Sequence, residues 1–142
     1  MVDFFNKEDE QHIIAAIAEA EGQTSGEIRV HLGKNLDGDI TAAAAKTFLK
    51  LGMDKTAESN GVLIYIVPSH HKFAIIGDKG IDAKVPANFW QEVRDIMQQH
   101  FRQGQFAEGI CQGIRLAGQK LKQFFPLQEG DKNELSDEIS FG

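Results

Sequence analysis

The fold is decided by the stretch Gly61-Val62-Leu63-Ile64-Tyr65-Ile66-Val67. The six residues after Gly61 are apolar or aromatic and mostly β-branched, which is typical of a central strand covered on both faces. The turn sequence Pro68-Ser69-His70-His71 follows, and after it comes a short apolar run over residues 73–76. We predict that this run returns as the antiparallel hairpin partner of strand 62–67.

The segment before the central strand predicts a second strand, parallel to the first. Apolar residues occupy alternate positions of residues 28–32, with Arg29 and His31 between them, which is the pattern of a half-buried strand. An alanine-rich helix is predicted over residues 41–51, between the two strands. A strand–helix–strand unit places its strands parallel and its connection right-handed, so the sheet should be small and mixed.

Three further helices are predicted to cover this sheet. Asn6 is a candidate N-cap with Asp9 three residues later, so the first helix should span residues 7–21. A proline that suits the first position of a helix predicts a second one over residues 86–103. Apolar residues then recur every three or four positions over residues 106–124, which predicts a strongly amphipathic helix.

The last sixteen residues differ in composition from the rest of the chain. They contain five acidic residues and one lysine, so their net charge is 1 − 5 = −4, out of −6 for the whole chain. We therefore divide the chain into an α/β domain, residues 1–126, and an acidic C-terminal tail, residues 127–142.

Composition excludes several classes of protein. The 142 residues contain 21 Asp and Glu against 15 Lys and Arg, whereas binding to nucleic acid needs clustered basic residues. The single cysteine, Cys111, excludes an internal disulfide and a multi-thiolate metal site. No apolar segment approaches the roughly 20 residues that span a bilayer, and the N-terminus lacks a signal-peptide pattern. We expect a cytoplasmic protein with no membrane insertion and no nucleic-acid partner.

The predicted topology gathers polar residues at one edge of the sheet, where the two parallel strands begin and the hairpin strand ends. This edge carries Glu27, Asn60, Asp78 and Asp82, which we call the acidic rim. Carboxylate and amide oxygens on loops are the ligands that calcium and magnesium prefer, so the acidic rim is a candidate divalent-cation site. A second interpretation stays open, in which Asn60 and Asp78 are turn residues bonded to nearby backbone and Glu27 is a surface strand end.

The opposite edge of the sheet carries Asp37, Asp39 and the pair His70-His71. Asp39 is in position to cap the helix that follows it. Adjacent histidines in a hairpin point to opposite faces, so an exposed turn is favoured over a shared zinc site. The sequence contains no nucleophile elbow, P-loop, dinucleotide-binding glycine motif or zinc-protease motif.

Short segments spread over nearly the whole chain resemble the TPM domain family, which is also known by a phosphatase label. They are Phe4-Phe5, Ala18-Glu19-Ala20-Glu21, Thr24-Ser25-Gly26-Glu27-Ile28-Arg29-Val30, Leu51-Gly52-Met53 with Thr56, Asn60-Gly61-Val62-Leu63-Ile64-Tyr65-Ile66, Ile76-Gly77-Asp78-Lys79-Gly80-Ile81, Phe125-Pro126, Asp131 and Asn133-Glu134-Leu135. The resemblance implies a Rossmann-like three-layer α/β/α sandwich and the short, soluble bacterial branch of the family.

The same resemblance implies two activities. A plant thylakoid-lumen branch of the family is associated with photosystem II repair and acid phosphatase activity, and divalent-ion binding, calcium in particular, is attached to the fold. Similar sequences often have a basic residue before Asn60, whereas this chain has Ser59. That difference disfavours a phosphate ligand and favours a cation.

Three functions are therefore open. The first is binding of a divalent cation by the acidic rim together with backbone oxygens of Gly77 or Gly80. Calcium is favoured over magnesium as this cation. The second is a metal-assisted phosphatase, in which the same residues hold an ion that polarises a phosphate and activates water. The third is a protein-interaction module, whose acidic tail or phenylalanine-rich last helix engages a protein partner during assembly or repair of other proteins.

Overall fold

The computed structural model describes residues 5–34, 38–127 and 139–141. Within these residues the chain forms five α-helices and four β-strands. In chain order they are α1 (Lys7–Glu21), β1 (Glu27–Leu32), α2 (Ile40–Lys50), β2 (Gly61–Val67), β3 (Lys72–Gly77), α3 (Lys79–Asp82), α4 (Gln91–Arg102), α5 (Phe106–Phe124) and β4 (Ser140–Phe141). None of the helices in the described ranges combines the length and the apolar character needed to cross a membrane.

The four strands form one mixed sheet in the order β3-β2-β1-β4. β1 and β2 are parallel neighbours, with Glu27 opposite Gly61, which confirms the predicted strand–helix–strand unit. β3 pairs antiparallel with β2, with Val62 opposite Gly77, which confirms the predicted hairpin. β4 pairs parallel with β1 and forms the edge of the sheet opposite to β3.

Helices cover the sheet on both faces, so the fold is the predicted three-layer α/β/α sandwich. α1, α4 and α5 share one hydrophobic core with the inward residues of β1 and β2. On the second face α2 packs against the alternate residues of β2, which are Leu63, Tyr65 and Val67. All seven residues of β2 are buried because both faces of this strand are covered, as its unbroken apolar run predicts.

The first helix begins at the predicted capping box. The Asn6 side chain accepts a hydrogen bond from the Asp9 backbone N–H at 2.7 Å, and the Asp9 carboxylate accepts one from the Asn6 N–H at 3.4 Å. Two otherwise unpaired N–H groups are satisfied in this way. Ile13 and Ile17 then fall one turn apart on the buried face, which fixes α1 against the sheet.

Three segments differ from the sequence predictions. After the predicted strand 73–76, Gly77 ends β3 and Lys79 starts the short helix α3, which the sequence patterns did not predict and which the Asp78 side chain caps. Helix α4 begins at Gln91 rather than near Pro86, because residues 86–91 form two hydrogen-bonded turns ahead of the helix. The last segment contributes strand β4, and Ile139 beside it is buried in the main core.

Candidate functional site

Backbone hydrogen bonds join the three segments that carry the acidic rim. The Glu27 N–H donates to the Asn60 carbonyl at 3.1 Å, and the Asp78 N–H donates to the Gly61 carbonyl at 2.9 Å. The start of β1, the start of β2 and the end of β3 are therefore held side by side, as the topology predicts. Burial fixes the pairing register of the strands, so the rim residues at the strand ends have fixed positions relative to one another.

Asn60 is the most enclosed residue of the acidic rim, with 3 % of its surface exposed. Its side-chain Nδ2 donates to the Ser25 carbonyl at 2.7 Å, and its backbone N–H donates to the Thr56 Oγ1 at 3.2 Å. Its Oδ1 is buried and has no hydrogen-bond partner among the described residues. The Asn60 amide therefore bridges two strand starts and leaves one acceptor unused.

Asp78 serves as a cap and also keeps a spare oxygen. Its Oδ1 accepts a hydrogen bond from the Lys79 backbone N–H at 2.8 Å at the start of α3. Its Oδ2 is buried and lacks a hydrogen-bond partner within the described ranges. The turn interpretation thus accounts for one carboxylate oxygen of Asp78 and leaves the second without a role.

Asp82 lies at the end of α3, close to the end of β3. Its Oδ1 is 3.6 Å from the position that a Cβ atom on Gly77 would occupy. The residue is exposed, yet partial desolvation of its carboxyl group and, secondly, the negative charge of Asp78 raise the pKa of Asp82 above its ordinary value. Desolvation first, and the like charge of Asp78 second, therefore disfavour ionisation of Asp82.

Glu27 is buried at the first position of β1, with 4 % of its surface exposed. Its strand partner Gly61 has no side chain, and the Met53 carbonyl oxygen lies 3.1 Å from where a Cβ atom on Gly61 would stand. A backbone oxygen thus approaches the sheet beside the acidic rim. The sequence carries no signal for that oxygen, because every residue type has a carbonyl.

Helix α3 packs directly on the connector before β2. A Cβ atom at Gly80 would lie 2.5 Å from the carbonyl oxygens of both Glu58 and Ser59, so only glycine allows this approach. Ser59 itself adopts φ of 51°, in the left-handed region. This contact fixes the distance between the helix after Asp78 and the segment that contains Asn60.

The described residues contain no group of three or more His, Cys, Asp and Glu side chains close enough together to hold one metal ion. An ion at the acidic rim would therefore depend on amide and backbone oxygens beside its carboxylates. Oxygen donors of this kind suit a hard cation rather than a soft transition metal.

The opposite edge is built as an exposed turn and a helix cap. His70 and His71 are exposed between β2 and β3, as predicted. The Asp39 carboxylate accepts a hydrogen bond from the Ala42 N–H at 3.0 Å and caps α2, again as predicted. Asp37 lies outside the described residues.

Cys111 lies within α5 and is buried in the main core. Burial raises the pKa of its thiol, which disfavours the reactive thiolate. The side chain therefore acts as a small packing residue.

Proteins of known structure and a known family share this fold with the chain. The family model described as the TPM domain matches residues 1–120. The solution structure of the BA42 protein from the psychrophilic bacterium Bizionia argentinensis has 43 % sequence identity and a TM-score of 0.95, and the match covers 100 % of this chain and 98 % of that one. No functionally curated protein matches the chain.

Two more distant structures share the fold alone. The N-terminal domain of a protein from P. gingivalis has 20 % identity and a TM-score of 0.70, with 87 % of this chain and 80 % of that chain covered. The N-terminal domain of the cg2496 protein from Corynebacterium glutamicum has 14 % identity and a TM-score of 0.65, with 93 % and 77 % covered.

Proposed function

The chain belongs to the TPM domain family, and from that premise we propose that its acidic rim binds a divalent cation, calcium before magnesium. Asn60 and Asp78 would supply the central ligands, and Glu27 and Asp82 would complete the negative environment. Backbone carbonyls at Gly77 or Gly80 are candidates for the remaining positions. A bound hard cation offsets carboxylate repulsion and can act as a Lewis acid toward a phosphate ester.

One observation carries this proposal. Asn60 Oδ1 and Asp78 Oδ2 are both buried acceptors without a hydrogen-bond partner among the described residues, and their backbones flank the same residue, Gly61. A buried acceptor that stays unpaired costs about 1–3 kcal/mol, so two of them at one edge call for an explanation. A hard cation within reach of both oxygens would satisfy them without a further donor from the chain.

The small number of carboxylates limits the affinity that we propose. Cation affinity rises with the charge and rigidity of the ligand set, and modest sites bind calcium at about 10⁻⁴–10⁻³ M. We expect the acidic rim to fall in this range, because an amide and backbone carbonyls carry no formal charge.

The direct test is a calcium titration of the full chain, followed by backbone amide NMR shifts. The expected result is saturable shifts that centre on residues 60–61 and 77–80. Asp78→Asn should abolish them, because it removes the charge of the spare oxygen while keeping the cap to Lys79. Asp54→Asn is the matched control, since Asp54 is an exposed acid on the connector before β2 and lies outside the acidic rim.

The acidic tail needs its own control, because diffuse attraction of ions to five carboxylates would imitate binding. A chain that ends at Pro126 would also lose β4 and the buried Ile139, so truncation would confuse charge with folding. Substitution of the tail acids by their amides is the cleaner variant. The substituted residues are Glu129, Asp131, Glu134, Asp137 and Glu138.

The two sources of ion attraction also respond differently to salt. Direct coordination should survive in about 0.15 M salt, where the screening length is roughly 8 Å, whereas diffuse attraction should fade. A calcium response that Asp78→Asn leaves unchanged, and that the amide tail removes, would refute the acidic rim as the site.

A further inference from the structure

We propose that a pocket at the edge opposite to the acidic rim binds a small organic carboxylate with an apolar body. The pocket has a volume of about 260 Å³ and lies where β2 ends, β3 begins and α4 meets α5. Phe73, Phe101 and Phe106 form its apolar wall, and Lys72 and Arg102 stand among its polar lining residues. This site is separate from the proposed cation site and does not depend on it.

Aromatic contacts make the apolar wall a fixed surface. Phe73 and Phe101 meet edge to face with their ring centres 5.3 Å apart, and Phe101 and Phe106 lie 5.6 Å apart. The three rings come from three different elements, β3, α4 and α5, so the wall is held by the packing of the fold. Aromatic rings of this kind offer a large apolar surface on which a further planar apolar group can pack.

The lining also has a charge opposite to that of the protein. Lys72 and Arg102 are formally positive, and none of the ten lining residues is acidic, although the chain carries −6 overall. Neither side chain takes part in the two salt bridges found among the described residues, which are Arg115–Glu19 and Lys120–Glu92. Within the described ranges both charges are thus open to an anion, and the planar guanidinium of arginine matches a carboxylate in particular.

The size and polarity of the pocket select the ligand class. Cavities that take drug-sized molecules are about 300–1,000 Å³, so this pocket suits a smaller compound. Inorganic phosphate would lose its hydration against a mostly apolar wall and gain few hydrogen bonds in return. A single carboxylate on an aromatic or branched aliphatic body places its charge at the two cations and its apolar part against the phenylalanines.

Phenylacetate is a suitable probe for this pocket, and phenylacetamide is its neutral counterpart of the same shape. We expect phenylacetate to cause saturable amide shifts at residues 72–73 and 101–106 of the full chain, and phenylacetamide to bind about tenfold more weakly. No saturable shift with phenylacetate, or equal binding of the two probes, would overturn the proposal.

Two exposed substitutions test the cationic groups without disturbing the core. Lys72→Gln and Arg102→Gln should each remove most of the preference for phenylacetate over phenylacetamide, while Lys50→Gln on α2 should leave it unchanged. A preference that survives both pocket variants would refute the assigned cations. Shifts at the same amides that depend on protein concentration without probe would identify a second copy of the chain as the occupant and would also overturn the proposal.

Discussion

Asn60 and Ser25 are joined by a side-chain hydrogen bond of 2.7 Å, in which the Asn60 amide nitrogen donates to the Ser25 carbonyl. These residues are 35 positions apart in sequence; Asn60 directly precedes β2, and Ser25 lies two residues before β1. The bond therefore ties the start of β1 to the start of β2 at the edge where the cation is proposed to bind. Its geometry leaves the Asn60 Oδ1 as the unused acceptor.

Asn60→Asp should destabilise the protein by about 1–3 kcal/mol in the presence of a chelator. The substitution removes the donor to Ser25 and sets a negative charge beside a carbonyl oxygen. Added calcium should recover part of this loss, because a cation offsets the new charge. Urea unfolding with and without calcium measures both effects.

Asn60→Ala is the matched control for this experiment. It removes the same donor but adds no charge, so it should be destabilised with no recovery by calcium beyond that of the unchanged protein. Equal calcium responses in the two variants would contradict a cation next to residue 60.

Gly80→Ala should destabilise the protein by about 1–3 kcal/mol, because the new methyl group would meet two backbone carbonyls at 2.5 Å. A flexible side chain could change its rotamer to relieve such a clash, but backbone atoms cannot. Helix α3 therefore has to move away from Glu58 and Ser59. Lys79→Ala, at the exposed neighbouring position, should stay within about 0.5 kcal/mol. Thermal unfolding of both variants measures the difference, and equal melting temperatures would show that α3 tolerates the shift.

The layers and the strand order of β1 to β3 could be predicted from the sequence because they depend on long, regular patterns. The unbroken apolar run of β2 favours a strand that is covered on both faces, and the alternation in β1 sets which of its residues face the core. The helix between the two strands requires them to be parallel. The positions of Glu27, Asn60 and Asp78 at one edge then follow from chain direction alone. The sequence alone therefore predicts that these three residues share one edge of the sheet.

Short elements and backbone contacts could not be predicted in the same way. Helix α3 has four residues, and its place depends on the close approach of Gly80 to the connector, which no local pattern encodes. Strand β4 has two residues in an acidic segment, and it is fixed by the burial of Ile139 and by a 2.8 Å hydrogen bond between Ser140 Oγ and His31 Nδ1. Both depend on tertiary contacts rather than on propensity.

Asp82→Asn should raise stability at neutral pH when a chelator is present. Desolvation and the charge of Asp78 raise the pKa of Asp82 in the folded state above its ordinary value of 3.8. The stability linked to this group is therefore fully present below about that pH and is lost as pH rises through the folded pKa. Asparagine avoids the loss.

The measurement for Asp82 is the urea midpoint from pH 3 to pH 7. The advantage of Asp82→Asn should appear as pH rises and should disappear near the acid end of the range, where Asp82 is protonated in both states. Asp54→Asn, which removes one exposed acid outside the acidic rim, serves as the control for the loss of a single negative charge. A constant advantage at every pH would assign the effect to something other than ionisation.

Hydrolysis of p-nitrophenyl phosphate should be slow, with kcat/KM below about 10⁴ M⁻¹ s⁻¹ in calcium, magnesium or manganese. The carboxylates of the acidic rim repel a phosphate dianion, and Ser59 stands where similar sequences often have a basic residue. Release of p-nitrophenolate measures the rate. Efficient turnover that Asp78→Asn abolishes in a folded protein would make the metal-assisted phosphatase the better assignment.

Ile139→Ala should destabilise the protein by about 2 kcal/mol, at the low end of the range for a buried isoleucine, because the residue sits at the margin of the core. The reason is the loss of apolar contacts that hold the end of the acidic tail against β1. Phe141→Ala is the control, since Phe141 is 43 % exposed and its truncation should cost less than about 0.5 kcal/mol. Urea unfolding distinguishes the two. If both variants kept the stability of the unchanged protein, β4 would be a surface attachment, and truncation at Pro126 would become a fair test of the tail charge.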